Sequence, residues 1–158
     1  MNPHRAQLLF MMLCVACFAA TADAAVSCGV STTGVAFGSY DPILGQNRDT
    51  SGTISVSCTG SSGDAVSYSL LLSAGDGVFL SRAMAGSAVP LQYNLYTDIG
   101  RSQVWGDGTS GTIVVSDSYS ISTSPTVRNY NVYGRIPAGE TAVTAAAYND
   151  LIVVTLNY

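Results

Sequence analysis

The sequence has 158 residues, of which 47% are hydrophobic and only 10% are charged. This length suits one ordinary domain, and the composition fills an apolar core while leaving a surface of serine, threonine, asparagine and glycine. The formal net charge is -4, and all the basic side chains except His4 are arginines, five of them scattered from Arg48 onward. Phosphate binding requires clustered positive charge, so the composition argues against a nucleic-acid partner.

The first 24 residues have the pattern of a secretory signal peptide. Arg5 precedes an apolar run over residues 8–20, and residues 22–24 (Ala-Asp-Ala) have the small-x-small form of a cleavage site. The run of about 13 residues is shorter than the roughly 20 that span a bilayer, so a membrane anchor is the weaker alternative. Lipid attachment at Cys17 is a further alternative. The sequence predicts cleavage, export, and a domain over residues 25–158 with no membrane span.

Beyond residue 24 the hydrophobic residues recur with a period of two, which is typical of half-buried strands. In chain order, the alternating segments are residues 53–58, 66–72, 91–96, 113–115, 119–121, 132–136 and 152–158. Turn residues such as Asp41 and Pro42, or Ser124 and Pro125, separate them. Only residues 141–147 have a helix-forming composition. Strands of this length and spacing predict one all-β domain, a β-sandwich.

Cys28 and Cys58 are the two cysteines that follow the predicted cleavage site. Two cysteines in an exported protein indicate one disulfide, whereas two cysteines without histidine do not complete a zinc site. Cys58 lies on the inward face of its strand, so the bond would tie the segment entering the fold to that strand. A loop of about 30 residues closed in this way adds roughly 3–4 kcal/mol to the free energy of unfolding.

The chain after residue 24 lacks the residues of common catalytic sites. It has no histidine or lysine, which excludes Ser–His–Asp and Ser–Lys nucleophiles. Glu140 with Asp98 or Asp150 is the remaining alternative, as a glycosidase pair, but hydrogen bonds within turns explain most of the aspartates better. Asp98 and Asp107 are weak candidates for calcium ligands because no carboxylate-dense loop accompanies them. The sequence predicts no enzyme, no metal and no cofactor.

Residues 104–109 contain the single tryptophan, Trp105, followed closely by Asp107. An exposed aromatic loop of this kind contacts sugars or proteins, whereas a lone tryptophan more commonly packs over the end of a sandwich. Both interpretations stay open. Residues 75–79 form a second candidate contact loop, since loops at sandwich ends carry function more often than strands.

Seven segments in order resemble the spore coat protein U domain family, which includes pilins of archaic (Csu-type) chaperone–usher systems. They are Cys28 and residues 35–42, 52–58, 91–96, 104–108, 132–139 and 148–158. Each segment alone is weak evidence for the resemblance, but together the seven segments extend across nearly all of the chain after residue 24. The sequence departs from the family at Ala146, where glycine often stands two residues before the tyrosine, and this affects a local turn.

The resemblance implies an immunoglobulin-like β-sandwich that lacks its last strand and carries one disulfide. In such pilins a periplasmic chaperone lends a strand, and the N-terminal extension of the next subunit replaces it during assembly at an outer-membrane usher. Until then the apolar core and an unpaired strand edge are exposed. The resemblance therefore implies an acceptor groove that Ile152, Val154 and Leu156 line or flank.

The sequence thus predicts a structural subunit of a secreted surface structure that acts in adhesion or biofilm formation. After cleavage only Ala25, Val26 and Ser27 would precede Cys28, whereas a donated strand needs roughly ten residues. We therefore expect a terminal position, such as the tip of a pilus. The alternative is a secreted spore-coat or extracellular matrix protein that folds on its own.

Overall fold

The computed structural model describes residues 25–86, 88–140 and 146–158. The predicted signal peptide, residues 1–24, and most of the helix-forming segment, residues 141–145, lie outside this part of the chain. The strands are β1 (Ser27–Thr33), β2 (Arg48–Thr59), β3 (Ala65–Leu72), β4 (Arg82–Met84), β5 (Leu91–Tyr96), β6 (Val115–Ser120), β7 (Thr126–Ile136) and β8 (Val154–Asn157). The helical structure in the described part is one short 3₁₀ turn at Pro42–Leu44.

The strands form two antiparallel sheets that pack face to face. The larger sheet has the order β1-β2-β7-β5-β4, and the smaller one has the order β6-β3-β8. Strands β2 and β3 follow each other in the chain but lie in different sheets, so the chain crosses between the layers, as in sandwich folds. The predicted all-β sandwich is confirmed.

The core lies between the sheets and follows the alternation seen in the sequence. Ile54, Val56 and Cys58 of β2 are buried, while the residues between them are partly exposed. In β3 the buried positions are Val66, Tyr68, Leu70 and Leu72. Burying an aliphatic side chain of this size contributes about 1.5–3 kcal/mol, so this one face supplies a large share of the stability.

Most strands differ in extent from the sequence-based expectation: β4 was not predicted, β6 spans the gap between two predicted segments, and β2 begins five residues before its predicted segment. Strand β1 has no alternating signal, because it is an edge strand of small, mostly exposed residues. Strand β7 begins at Thr126, six residues before the predicted segment, because its polar first half pairs in register with β2 from Cys58 onward. Strand β8 is shorter than predicted, and it begins at Val154 although Ile152 already packs against the core.

Within the described residues, no helix has both the length and the apolar character needed to cross a membrane.

Candidate functional site

A groove of about 960 Å³ opens between the two sheets, beside the last strand. One wall is the end of β1 with the segment that follows it, residues 32–40, and the other is residues 146–152 with Val154. The floor consists of core side chains from both sheets, among them Ile54, Leu72 and Val132. Core side chains therefore form the floor of the groove, and these three are each at most 4% exposed.

The groove is open because two strand edges flank it without joining. Strand β8 pairs with β3, and no strand of the described part pairs with its other edge. Strand β1 pairs with β2 and is likewise the last strand of its sheet. The two strands approach each other at this side of the molecule. A sandwich closed by a further strand along β8 would have no such opening.

Two glycines let the first wall lie directly on the larger sheet. A Cβ atom on Gly52 would stand 2.7 Å from the carbonyl oxygen of Thr33, and one on Gly134 would stand 2.6 Å from Cγ1 of Val35. The same Cβ atom would stand 2.8 Å from Cζ of Phe37. In the sequence these glycines stand out only as parts of longer segments, because a close backbone approach cannot be read from spacing.

Polar contacts hold the same wall in place from outside the core. Arg48 Nε donates to the carbonyl oxygen of Phe37 at 2.7 Å, and Thr50 Oγ1 donates to that of Ala36 at 3.0 Å. Tyr40 Oη donates to the carbonyl oxygen of Pro137 at 3.0 Å. Because the backbone carbonyls of the segment are tied to neighbouring elements, this wall has a defined position without being part of a strand.

The second wall contains two of the three residues expected at the groove. Ile152 and Val154 line it, and both are partly buried against the core. Leu156 also packs against the core but does not line the groove. Ile152, Val154 and Leu156 therefore all point inward from β8 and the residues before it. The groove lies beside the first two of them.

A polar pair lies at one part of this mostly apolar groove. Tyr93 Oη donates to Oδ2 of Asp150 at 2.7 Å, and the backbone N–H of Asp76 donates to Oδ1 at 3.1 Å. Burial, followed by the hydrogen bond to Asp150, raises the pKa of Tyr93 well above its usual range. Tyr93 therefore stays a neutral donor to the carboxylate. The sequence does not indicate this pair as part of the site, since its members are 57 positions apart.

Arg82 is fully buried beside this pair and binds neutral oxygens. Its guanidinium donates to the carbonyl oxygens of Ser73 and Trp105 and to Oδ1 of Asn94, at 2.6–3.2 Å. Burial lowers the pKa of Arg82, and the charge of Asp150 is among the influences that oppose this shift. The network ties the turn after β3 to β5 and to the Trp105 segment.

The predicted disulfide is present between Cys28 and Cys58. The two residues are directly opposite each other in the β1–β2 ladder, and both pack against the core. The bond therefore holds the first strand to the second, close to where the described chain begins. It fixes the start of the chain relative to the larger sheet, as its position in the sequence indicated.

The candidate contact residues Trp105 and Asp107 have different surroundings. Trp105 is only 1% exposed, and its Nε1 donates to the carbonyl oxygen of Leu70 at 3.0 Å. Its side chain therefore packs in the sandwich, and the interpretation as an exposed contact residue is wrong for Trp105. Asp107 lies partly exposed in its turn, where Oδ1 accepts from the backbone N–H and the hydroxyl of Thr109.

The other candidate loop, residues 75–79, belongs to a tight hairpin that presents apolar side chains. Val78 and Ser81 exchange two backbone hydrogen bonds, and the carbonyl oxygen of Phe79 accepts from Asn94 Nδ2 at 3.0 Å. Val78 is 64% exposed and Leu80 is 61% exposed. The hairpin is thus fixed by hydrogen bonds, while its aliphatic side chains face solvent.

The two aspartates considered for calcium binding, Asp98 and Asp107, are engaged in local structure. Asp98 accepts from the backbone N–H groups of Gln103 and Ser102, and these hydrogen bonds lower its pKa. The hydroxyl of Thr109 lowers the pKa of Asp107 in the same way. In the described part of the chain, no three histidine, cysteine, aspartate or glutamate side chains form a group that would hold a metal ion.

The fold and the groove define a class of two-sheet β-sandwich that is left open along its last strand. The sequence pattern of the Spore Coat Protein U domain matches residues 14–155, and the chain belongs to this family. No curated protein matches the chain significantly.

Solved structures show the same fold. One is a chain of the crystal structure of the CsuC–CsuE chaperone–tip adhesion subunit pre-assembly complex, from the archaic chaperone–usher Csu pili of Acinetobacter baumannii. It matches with a TM-score of 0.55 at 17% sequence identity, over 85% of this chain and 40% of that chain. At this identity the similarity concerns the fold alone, and this protein spans about two fifths of the length of its structural neighbour.

Proposed function

We propose that this protein is a structural subunit of an archaic chaperone–usher pilus, exported through the periplasm to the cell surface. The observation that carries the proposal is the groove beside β8, which is lined by core side chains of both sheets and lies next to an unpaired strand edge. Membership of the Spore Coat Protein U domain family and a fold shared with a chain of a Csu pilus complex support it.

A strand from a partner would fill the groove by β-strand addition. Its backbone would pair with the free edge of β8, and alternate side chains would enter the space above Ile54, Leu72 and Val132. We assign this role first to a periplasmic chaperone and then, after transfer at an outer-membrane usher, to another pilin subunit. Without such a partner the open edge and the apolar groove favour aggregation.

Periplasmic expression of the chain, alone and with a chaperone encoded beside its gene, tests the proposal. We expect the chain alone to be insoluble or degraded, and co-expression to yield a soluble complex with one copy of each protein. A chain that is soluble alone and unfolds in one cooperative transition contradicts the proposal. That outcome supports the second candidate, a secreted coat or matrix protein that folds by itself, which the name of the Spore Coat Protein U domain family favours.

Within the fibre we propose a terminal position. Residues 27–33 pair with β2 along their whole length, and Cys28 is bonded to Cys58, so this segment is already part of its own sheet. A donated strand would have to come from residues before Ser27. Mass spectrometry of the exported protein locates the mature N-terminus: a start at Ala25 supports the terminal position, and a start well upstream contradicts it.

At that position we propose a role in adhesion and biofilm formation, with the hairpin that carries Val78 and Leu80 as a contact element. Replacing both residues with serine is expected to reduce biofilm on an apolar support while leaving the amount of assembled fibre unchanged. The matched control is Ile99→Ser, which removes an aliphatic side chain that is 74% exposed in another loop. An equal loss in the control would contradict the role of the hairpin.

A further inference from the structure

The groove has one charged residue among those that line it in the described part of the chain, and this residue is Asp150. The other lining residues are apolar, small or neutral, including Phe37, Met84 and Ile136. A strand that fills the groove would therefore meet a negative charge at one place along its length. That place is next to Tyr93, whose hydroxyl binds the carboxylate.

The carboxylate of Asp150 is fixed in position. Each oxygen accepts one hydrogen bond, from Tyr93 Oη at 2.7 Å and from the backbone N–H of Asp76 at 3.1 Å. Gly75 packs so closely against it that a Cβ atom there would collide with the carboxylate. Asp150 is nevertheless only partly buried, so part of its surface faces solvent in the open groove. A carboxylate oxygen accepts two hydrogen bonds, and each has capacity left.

An apolar groove alone does not specify the register of an incoming strand. A shift by two residues returns the same face of the strand to the groove, so an evenly alternating strand can occupy several registers. A fixed charge removes this ambiguity. Covering the exposed part of Asp150 with an apolar side chain would desolvate a carboxylate without a new partner, whereas a basic side chain would pair with it.

We propose that Asp150 sets the register of the strand that enters the groove and selects a strand with a basic side chain at the facing position. The inference rests on the proposed function, because it requires that the groove accept a strand. The net charge of -4 also favours a positively charged partner strand. Arg82 does not take over this role, because it is fully buried and its guanidinium is bound to oxygens of Ser73, Asn94 and Trp105.

Synthetic peptides test the inference on the chain without its predicted signal peptide and without substitutions. The probe is a set of 12-residue peptides that alternate valine and threonine, in which one valine at a time is replaced by lysine or by methionine. Each peptide is added during refolding of residues 25–158 under oxidising conditions, and its dissociation constant is measured by competition with a fluorescein-labelled all-valine parent. Methionine is the control because it has a similarly long, unbranched side chain without charge.

We expect lysine to bind about tenfold more tightly than methionine at one position of the peptide and more weakly at the others. Asp150→Asn keeps a carbonyl oxygen for the hydroxyl of Tyr93, and is expected to abolish the preference for lysine at that position. Asp76→Asn removes a charge from the adjacent turn, and is expected to retain the preference. If Asp150→Asn fails to fold, the comparison of lysine with methionine on the unaltered chain still decides the result.

The outcomes separate this inference from the proposed function. If no peptide binds, the groove does not accept strands and the proposed function is wrong. If the peptides bind but lysine and methionine have equal affinity at every position, the groove accepts strands and only the role of Asp150 is wrong. A lysine preference that persists unchanged in Asp150→Asn overturns the role of Asp150 as well.

Discussion

At the scale of single residues, the shape of the groove depends on two glycines in neighbouring strands. Gly52 in β2 and Gly134 in β7 lie beneath residues 33–37, whose backbone and side chains occupy the space that Cβ atoms would need. The contact to Gly52 includes the carbonyl oxygen of Thr33, which is backbone and cannot rotate away. Larger residues at these positions would displace the wall of the groove.

We predict that Gly52→Ala destabilises the protein by about 1–3 kcal/mol, the usual cost of overpacking. Gly29→Ala is the matched control, because Gly29 lies in the adjacent strand β1 and a Cβ atom there would meet no atom within 4 Å beyond its chain neighbours. Urea denaturation of the purified proteins measures both changes. Equal stability of the two variants would show that the first wall moves without cost.

Asp49 is the centre of a surface ion-pair network. Its contribution to the stability of the fold depends on pH. Arg135 donates to its two oxygens at 2.7 and 2.8 Å, and Arg101 lies 3.2 Å from Oδ2. The hydrogen bond from Arg135, with the charges of both arginines, lowers the pKa of Asp49 below its ordinary value of 3.8, against a smaller opposing influence of burial. A carboxyl group whose pKa is lower in the folded than in the unfolded state stabilises the fold when the pH is above its unfolded-state pKa.

This contribution is expected to disappear as the pH falls below about 4 and through the lowered pKa of Asp49. Asp49→Asn should therefore reduce stability at neutral pH by about 1 kcal/mol or less, since solvent screens a carboxylate that is 36% exposed. The free energy of unfolding of this variant should also decrease less as the pH falls. Urea denaturation between pH 2 and 7 measures this, with Asp41→Asn as a control for charge. Parallel pH profiles of Asp49→Asn and the unaltered protein would contradict the prediction.

At the scale of elements, the edge strand β1 is held by its ladder to β2 and by the disulfide. Its side chains are mostly exposed, so hydrophobic burial contributes little to its attachment. The segment that leaves β1 becomes the first wall of the groove. The bond between Cys28 and Cys58 therefore supports the groove indirectly, through the strand that precedes this wall.

We predict that replacing Cys28 and Cys58 together with serine lowers the free energy of unfolding by about 3–4 kcal/mol, as expected for a loop that spans a sequence separation of 30. Denaturation of the double variant measures the loss. The reduced, unmutated protein is the matched control, because it lacks the bond but keeps both sulfurs in the core. A loss seen in the variant but not on reduction would indicate a packing effect of the serines.

At the scale of the whole molecule, a groove opens between the two sheets along β8 and the segment after β1. Strand β3 has partners on both sides, whereas β8 has one in the described part. Backbone amides at an unpaired edge exchange hydrogen faster than those within a sheet. The strand at the open side should therefore be less protected than the strand beside it.

We predict that hydrogen exchange is faster in residues 152–157 than in β3, and that a strand-donating peptide slows it there. Residues 33–40 should gain protection with the peptide as well, because they form the opposite wall. Strand β6, the other edge of the smaller sheet, serves as the internal control and should not change. Protection that rises equally in β6 and β8 would indicate general stabilisation rather than strand addition at the groove.

The sequence determined the all-β class, the inward faces of β2, β3 and β5, and the pairing of Cys28 with Cys58, because alternation and cysteine number are local or compositional signals. Through resemblance to a family it also predicted Ile152, Val154 and Leu156 at an acceptor groove; the first two line the groove described above, and Leu156 packs against the core outside it. Only the tertiary structure decided that Trp105 is buried, that Gly52 and Gly134 carry a wall of the groove, and that Tyr93 binds Asp150. These features depend on contacts between residues that are distant in the chain, and burial of an aromatic ring in a loop or close approach of two backbones leaves no periodic pattern.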